Sequence, residues 1–411
     1  MKKIILAVVA AVFLVAAGWA AVYLWKNFGG FWRIAEEPSV NIVNSLENQN
    51  ISVPPNSTEI PLTLPNGFRI SIFAKGLSAP RVIISDEVGR FLVSITSEGK
   101  VVALSDKNND GLADEVIAVL SGLNNPHGLA LQCVGGKCSL YVAESDKLSV
   151  YDYDQEKSAA SNGKKIIDLP SGGRHFTRTL QFLPSDVNKV LVSVGSSCDV
   201  CNESDPNRAK VLIVDIKTGE SKVFASGLRN SVFMAMHPKT REIWATEMGR
   251  DFLGDDLPPD EINIIKDGKN YGWPVCYGKN IHDTVFDKNV YIRNPCMEPF
   301  ETPSYVDIPA HSAPLGLAFV SEGSGWPVDY ENNLLVAYHG SWNRSVPSGY
   351  KIVRYKFDAD GNYLDEEDFI SGWLTADKEV LGRPAGILFS DGAVYVSDDK
   401  AGAIYKIEYK P

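Results

Sequence analysis

Positive charge is scarce in this chain: 40 Lys and Arg stand against 51 Asp and Glu, a net charge of −11. A general nucleic-acid binder needs clustered cations to displace counterions, so that class is excluded. Cysteine is sparse as well. The six fall in near pairs, Cys133 with Cys138, Cys198 with Cys201, and Cys276 with Cys296. No CxxCH phrase occurs, which excludes a c-type haem of the chain's own. The lone CxxC, Cys198 to Cys201, lacks a second CxxC or a histidine pair to complete a zinc site. Three loop-closing disulfides in an oxidising compartment are therefore expected. Helical periodicity is missing outside one apolar run. Gly and Pro, at 34 and 23 residues, suit a turn-rich fold and fall short of low complexity.

That apolar run, Ile4 to Trp25, follows Lys2 and Lys3. As a helix it spans about 33 Å, enough for a bilayer core. Gly18 and Ala20 offer the small residues of a cleavage site, so a cleaved signal is the rival to an uncleaved anchor. The expectation is a transmembrane anchor over 1–30, a stalk over 31–62, and a domain over 63–411. The leading lysines favour a cytoplasmic N-terminus, with a single-pass chain in the cell membrane and its domain on the periplasmic or extracellular side.

Internal repetition is the main signal in that domain. Six phrases share one form, a short apolar strand, a polar turn and a second alternating strand: 78–95, 124–145, 175–197, 227–249, 312–340 and 382–399. With the strands that follow each, they predict an all-β, six-bladed β-propeller. Residues 68–77 are expected to close the ring with the last blade. At the start of the first strands stand Arg81, His127, His175 with Arg178, Arg229 with Asn230, Leu315 and Arg383. Five of these six repeats bring a cation or imidazole to one channel mouth, which points to a shared anionic ligand. Glu144, Glu247, His339 and Asp398 end the second strands and are expected to hold those cations in place.

Five further phrases, GGRHFTRTLQF, GLRNSVFMAMHP, DEINIIKDGKNYGWP, HGSWNRSVPSGYKIVRY and GRPAGILFSDGAVYVSDD, carry a family resemblance. The sequence is similar to soluble quinoprotein glucose dehydrogenases and, more closely, to sorbosone-dehydrogenase-like sugar dehydrogenases that use pyrroloquinoline quinone (PQQ). The resemblance implies a propeller with PQQ over the channel mouth and Ca²⁺ beside it. His175 matches the general base, and Arg229 and Asn230 match the pair beside the quinone oxygens. Arg383 matches a cofactor-gripping arginine, with His127, Arg178 and Arg344 as further cofactor contacts. Gly249 and Arg250 are implied to offer carbonyls to calcium, and Asp260, Glu261 and Tyr271 resemble a second, structural calcium site. Arg174 and Met248 depart from the glucose enzymes, which have aspartate and glutamine there.

The implied function is oxidation of an aldose or related aldehyde, with electrons passing to an external quinone or cytochrome. A calcium-dependent lactonase, with Glu144, Glu247, Asn230 and Asp398 around one axial metal, is a second reading. A non-catalytic binding propeller is a third. Asp106-x-Asn108-x-Asp110-Gly111 has the oxygen spacing of a calcium loop, but Ile117 stands where an EF-hand has glutamate, leaving an Asx-rich turn as the alternative.

Overall fold

A computed structural model describes residues 54–358 and 361–411. Six four-stranded antiparallel sheets form the blades of a propeller. Their innermost strands are Pro80–Ser85, Gly128–Val134, Leu180–Leu183, Met234–Met236, Pro314–Phe319 and Pro384–Ser390. Each packs against the innermost strands of its two neighbours, which closes the ring. Phe68–Lys75 pairs antiparallel with Ala403–Tyr409, so the first strand completes the last blade as expected. Because no blade can bury its faces alone, this closure secures the ring.

The HGLAL, LGLAF and AGILF phrases explain how the blades come so close. A Cβ on Gly128, Gly316 or Gly386 would collide with the carbonyl oxygen of Arg178, Ala385 or Arg81 on the adjacent blade. Side chains bridge the same seams. Thr96 Oγ1 donates to the Pro126 carbonyl at 2.8 Å, Thr246 Oγ1 to Leu315 at 2.7 Å, and Ser397 Oγ to Arg81 at 2.6 Å. Between the sheets lie apolar clusters, one built on Leu92, Leu140, Trp244, Leu334 and Tyr355, another on Phe68, Trp326, Phe369 and Trp373.

All three disulfides form as paired in the sequence, and no free cysteine remains. The anchor expected over 1–30 lies outside the described residues, as does the stalk through residue 53. Among the described residues no helix is long and apolar enough to cross a membrane. Residues 54–62 run along the closing strand. Ser57 N donates to the Ile70 carbonyl at 3.0 Å, and Leu62 is buried in the second cluster.

Candidate active site

His175 follows the Ser171-Gly172-Gly173 turn that leads into blade 3. Two buried arginines grip this loop by its carbonyls. Arg208 Nη2 donates to Ser171 (2.7 Å) and Gly172 (2.6 Å), and Arg178 donates to Pro170, His175 and Thr177. The His175 ring then meets two acceptors. Ser196 Oγ gives its proton to the Cys198 carbonyl at 2.6 Å, so its lone pairs face His175 Nδ1 at 2.9 Å, and the Ser196 carbonyl lies 3.1 Å from the same nitrogen. This network assigns the proton to Nδ1 and leaves Nε2 a lone pair without a partner among the described residues. Burial, then the charges of Arg229 and Arg174, hold the imidazole well below its ordinary pKa. It is neutral at pH 7.

Arg229 stands beside it, locked by the loop between Cys198 and Cys201. Its Nε donates to the Asp199 carbonyl at 2.9 Å, and its Nη2 to Asp199 Oδ1 at 2.7 Å and Asp251 Oδ2 at 3.3 Å. Asp199 Oδ1 also accepts the Asp251 amide at 2.8 Å. The CxxC is thus a structural clasp that holds the His175 imidazole through Ser196 and the Arg229 guanidinium through Asp199. Asn230 Nδ2 contacts Met248 Sδ at 3.4 Å, so the thioether standing in place of glutamine still engages this pair. Arg174, which replaces aspartate, keeps an exposed guanidinium 4.0 Å from Asp251.

Across the mouth, blades 5, 6 and 1 contribute a second cluster. Arg81 pairs with Asp399 at 2.5 Å. His339 Nε2 lies 2.9 Å from both Asp399 oxygens, while Arg383 donates to His339 Nδ1 at 3.2 Å and to the Tyr350 hydroxyl at 3.1 Å. Burial alone would raise the Asp399 pKa, but His339, Arg81 and Arg383 outweigh it and hold the carboxyl far below its usual range. The Arg383 Nε–H is buried and unpartnered.

Two expected cofactor contacts do not reach the mouth. Arg178 is fully buried and its guanidinium is engaged by the carbonyls named above, so it braces the His175 loop. His127 is fully buried below the mouth, edge-on to Phe233 of blade 4 with ring centres 5.2 Å apart. Burial and then Arg81 push its pKa down to about 3. Its Nε2 is buried without a partner. Arg344 lies at the rim, donating to Asp256 at 2.7 Å and the Ala310 carbonyl at 3.2 Å.

The acids ending the second strands hold backbone amides rather than the arginines of the mouth, with Glu144 also pairing with Lys147 at 3.1 Å. Glu144 Oε2 accepts the Asn124 amide at 2.6 Å, Glu247 Oε1 the Asn230 amide at 2.8 Å, and Asp398 Oδ1 the Arg383 amide at 2.8 Å. Each fixes the loop entering an innermost strand. Asp260, at the start of a third strand, does the same for the Gly249 and Ala313 amides, at 2.8 and 2.9 Å. These acids do not converge: Glu144, Glu247 and Asp398 form no shared ligand group among the described residues.

One small cavity, about 20 Å³, lies beneath blade 4's contribution to the mouth. It has room for a single water or cation. Glu247, Gly249, Arg250, Glu261 and Tyr271 line it, with Arg229 at one side, which brings four of the five expected calcium residues into one region; Asp260 does not line it. Glu247 Oε2 is buried without a partner. Glu261 accepts from the Gly278 amide at 2.6 Å and Asn263 at 2.8 Å. Burial pushes Glu247 up to about 8 and Glu261 up to about 7. A bare carboxylate oxygen, a second carboxylate and nearby carbonyls are a hard-cation donor set, so calcium fits. The Asp106 loop differs. Asp106, Asn108 and Asp110 accept the amides of 110, 111 and 112, which is an Asx-rich turn.

Sequence reasoning missed Asp199, Asp251, Ser196 and Arg208. Only Asp199 carried a signal, its place between two paired cysteines. Fold and mouth together define a six-bladed β-propeller whose hub gathers arginines and the His175 imidazole with its bare Nε2. A model described as TrAA12-like matches residues 62–410, and the chain belongs to that family. An uncharacterised protein of Borreliella burgdorferi is 33% identical over 365 residues, covering 85% of this chain and 91% of that one. A PQQ-dependent pyranose dehydrogenase of Coprinopsis cinerea is 24% identical, over 84% of this chain but 54% of its own length. Among solved structures, a calcium structure of a Trichoderma reesei enzyme of Carbohydrate-Active Enzymes family AA12 superposes with TM-score 0.73 at 22% identity, covering 86% of this chain and all of that one. The finer likeness to sorbosone-type enzymes finds no support in these relatives.

Proposed function

We propose that the chain is a PQQ- and calcium-dependent sugar dehydrogenase with His175 as its general base. The observation that carries this reading is the His175 network, which leaves a neutral imidazole with a bare Nε2 next to the fixed Arg229 guanidinium. The relatives named as PQQ-dependent support it. PQQ fits the donor set at the mouth: Arg174 and Arg383 retain unused N–H groups, and Asn230 lies beside His175 and Met248. When bound, PQQ supplies the hydride acceptor. His175 Nε2 takes the proton from the substrate hydroxyl, and Ser196 keeps the ring oriented as it becomes cationic. Arg229 stabilises negative charge developing beside it without reorganising, because Asp199 and Asp251 already hold it. Glu247, Glu261 and the carbonyls of Gly249 and Arg250 hold the calcium.

The run Ile4–Trp25 serves as a membrane anchor in this reading, placing the propeller outside the cytoplasm, and a membrane quinone or a cytochrome receives the electrons. The test is dye-linked oxidation of a panel of aldoses by the calcium- and PQQ-loaded protein. Turnover that chelation abolishes and calcium restores is the expected result. No turnover with any aldose, aldehyde or alcohol, despite bound PQQ, contradicts it.

A further inference from the structure

Residues 266–305 leave blade 4 between its third and fourth strands and form an excursion with a frame of its own. Cys276–Cys296 ties it, and two buried aspartates brace it from inside. Asp283 accepts the amides of Val285 and Phe286 at 3.0 and 2.9 Å and pairs with Arg250 at 2.8 Å. Asp287 accepts from the Tyr291 hydroxyl at 2.7 Å, from Asn289 Nδ2 at 2.7 Å, and meets His282 Nε2 at 3.0 Å. This frame turns apolar side chains outward. Val290 is 98% exposed and Ile292 105%, with Val285, Tyr291, Met297 and Phe300 exposed around them. Isolated exposed aliphatics need no explanation, but a braced cluster of this kind marks an interaction surface.

Its charge runs against that of the whole protein. Lys279, Lys288 and Arg293 are exposed, and none has a carboxylate within 4 Å among the described residues. Near the tip the acids are engaged, Asp283 by Arg250 and Asp287 by His282 and Tyr291; farther along the excursion Glu298 pairs with Lys269, while Asp267 and Glu301 pair with no cation among the described residues. The excursion as a whole carries equal numbers of cations and acids, but its tip, residues 279–293, sets Lys279, Lys288 and Arg293 against only Asp283 and Asp287, so in a chain of net charge −11 the tip is cationic and apolar at once.

We propose that the excursion is a second membrane contact, its Val290-Tyr291-Ile292 tip entering the interface of an anionic bilayer while Lys279, Lys288 and Arg293 meet the headgroups. A convex tip needs no complementary pocket in a bilayer, and tyrosine favours the headgroup level. The same cations would repel one another across a pair of identical tips, which disfavours a second copy as the occupant. Reach is sufficient, since residues 26–53 can extend over roughly 90 Å between the apolar run and the propeller. The proposal adds to the anchored reading, but its test does not depend on the anchor, PQQ or turnover.

Residues 54–411 close their own ring and can be examined alone. Sedimentation with phosphatidylcholine vesicles, with and without phosphatidylglycerol, should show salt-sensitive binding to the mixed vesicles. Val290→Ser with Ile292→Ser should weaken it by about tenfold or more. Lys288→Glu with Arg293→Glu should weaken it by about thirtyfold. Neither pair should move Tm, because the fold places almost nothing against these side chains. The proposal is overturned by wild-type protein that ignores the mixed vesicles, by variants that bind as well as wild type, or by a dimer or soluble partner complex that the variants abolish while vesicle binding is absent.

Discussion

Two histidines face the channel mouth from opposite sides, and their surroundings give them opposite prospects. His339, on the side of blades 5, 6 and 1, has both nitrogens engaged, one by Asp399 and one by Arg383. His175, on the side of blades 3 and 4, has its Nδ1 committed and its Nε2 bare. The acids repeat the contrast. Asp398 accepts the amides of Arg383, Lys400 and Ala401 and the Tyr405 hydroxyl, whereas Glu247 accepts one amide and leaves Oε2 unpartnered. One half of the mouth is a dense polar network in which His339, Asp399 and Asp398 are satisfied and only the Arg383 Nε–H is left over. The other half keeps a lone pair and a carboxylate oxygen free, and unsatisfied buried groups in an otherwise satisfied fold are where ligands belong.

The largest expected effect breaks this asymmetry at the base. His175→Ala should lower turnover by about 10²- to 10⁴-fold with PQQ still bound. His339→Ala should lower stability and cofactor affinity and leave turnover of the loaded enzyme within about tenfold. Steady-state kinetics beside a thermal melt separates the two. A smaller effect sharpens the contrast at the acids. Asp398→Ala strands several buried amides and should cost about 3 kcal/mol without calcium. Glu247→Gln should leave the apo melt nearly unchanged and remove the rise in Tm that calcium produces.

Proton linkage gives the next test. Glu247 and Glu261 have folded pKa values raised by burial to about 8 and about 7, above their unfolded values near 4.5. Their contribution to stability is complete below that unfolded value and lost as pH rises through 7 and 8. Calcium-free protein should therefore melt at lower temperature at pH 9 than at pH 6, and calcium should reverse the loss most strongly at the higher pH. Asp398, raised to about 6, adds a fall over a lower interval that calcium does not reverse. Smallest is the clasp. Cys198→Ser with Cys201→Ser should reduce turnover by about tenfold through displaced Ser196 and Asp199, while the same change at Cys133 and Cys138 should leave it unaltered.

The architecture was legible because its causes are local. Alternating strands, glycines at the blade seams and cysteines close in sequence each announce themselves within a few residues. The proposed catalytic pair was legible too, since His175 and Arg229–Asn230 lie in short phrases at one register. The partners were not. Arg81 meets Asp399 at a separation of 318 residues, and Asn343 meets Asp251 at 92. No local pattern records such pairings. The burial of His127 and Arg178 was hidden for a related reason: the strand start fixes which blade end a residue occupies, but the local turn decides how deeply its side chain packs. Arg178 turned inward to carbonyls that sequence cannot count.

The most direct measurement titrates PQQ into residues 54–411 by absorbance, with and without calcium, for wild type and His175→Ala. Calcium-dependent binding of both proteins, followed by aldose-driven reduction of the bound quinone in wild type alone, is the predicted result. Absence of PQQ binding, or equal reduction by the variant, would contradict the assignment of this mouth and its base.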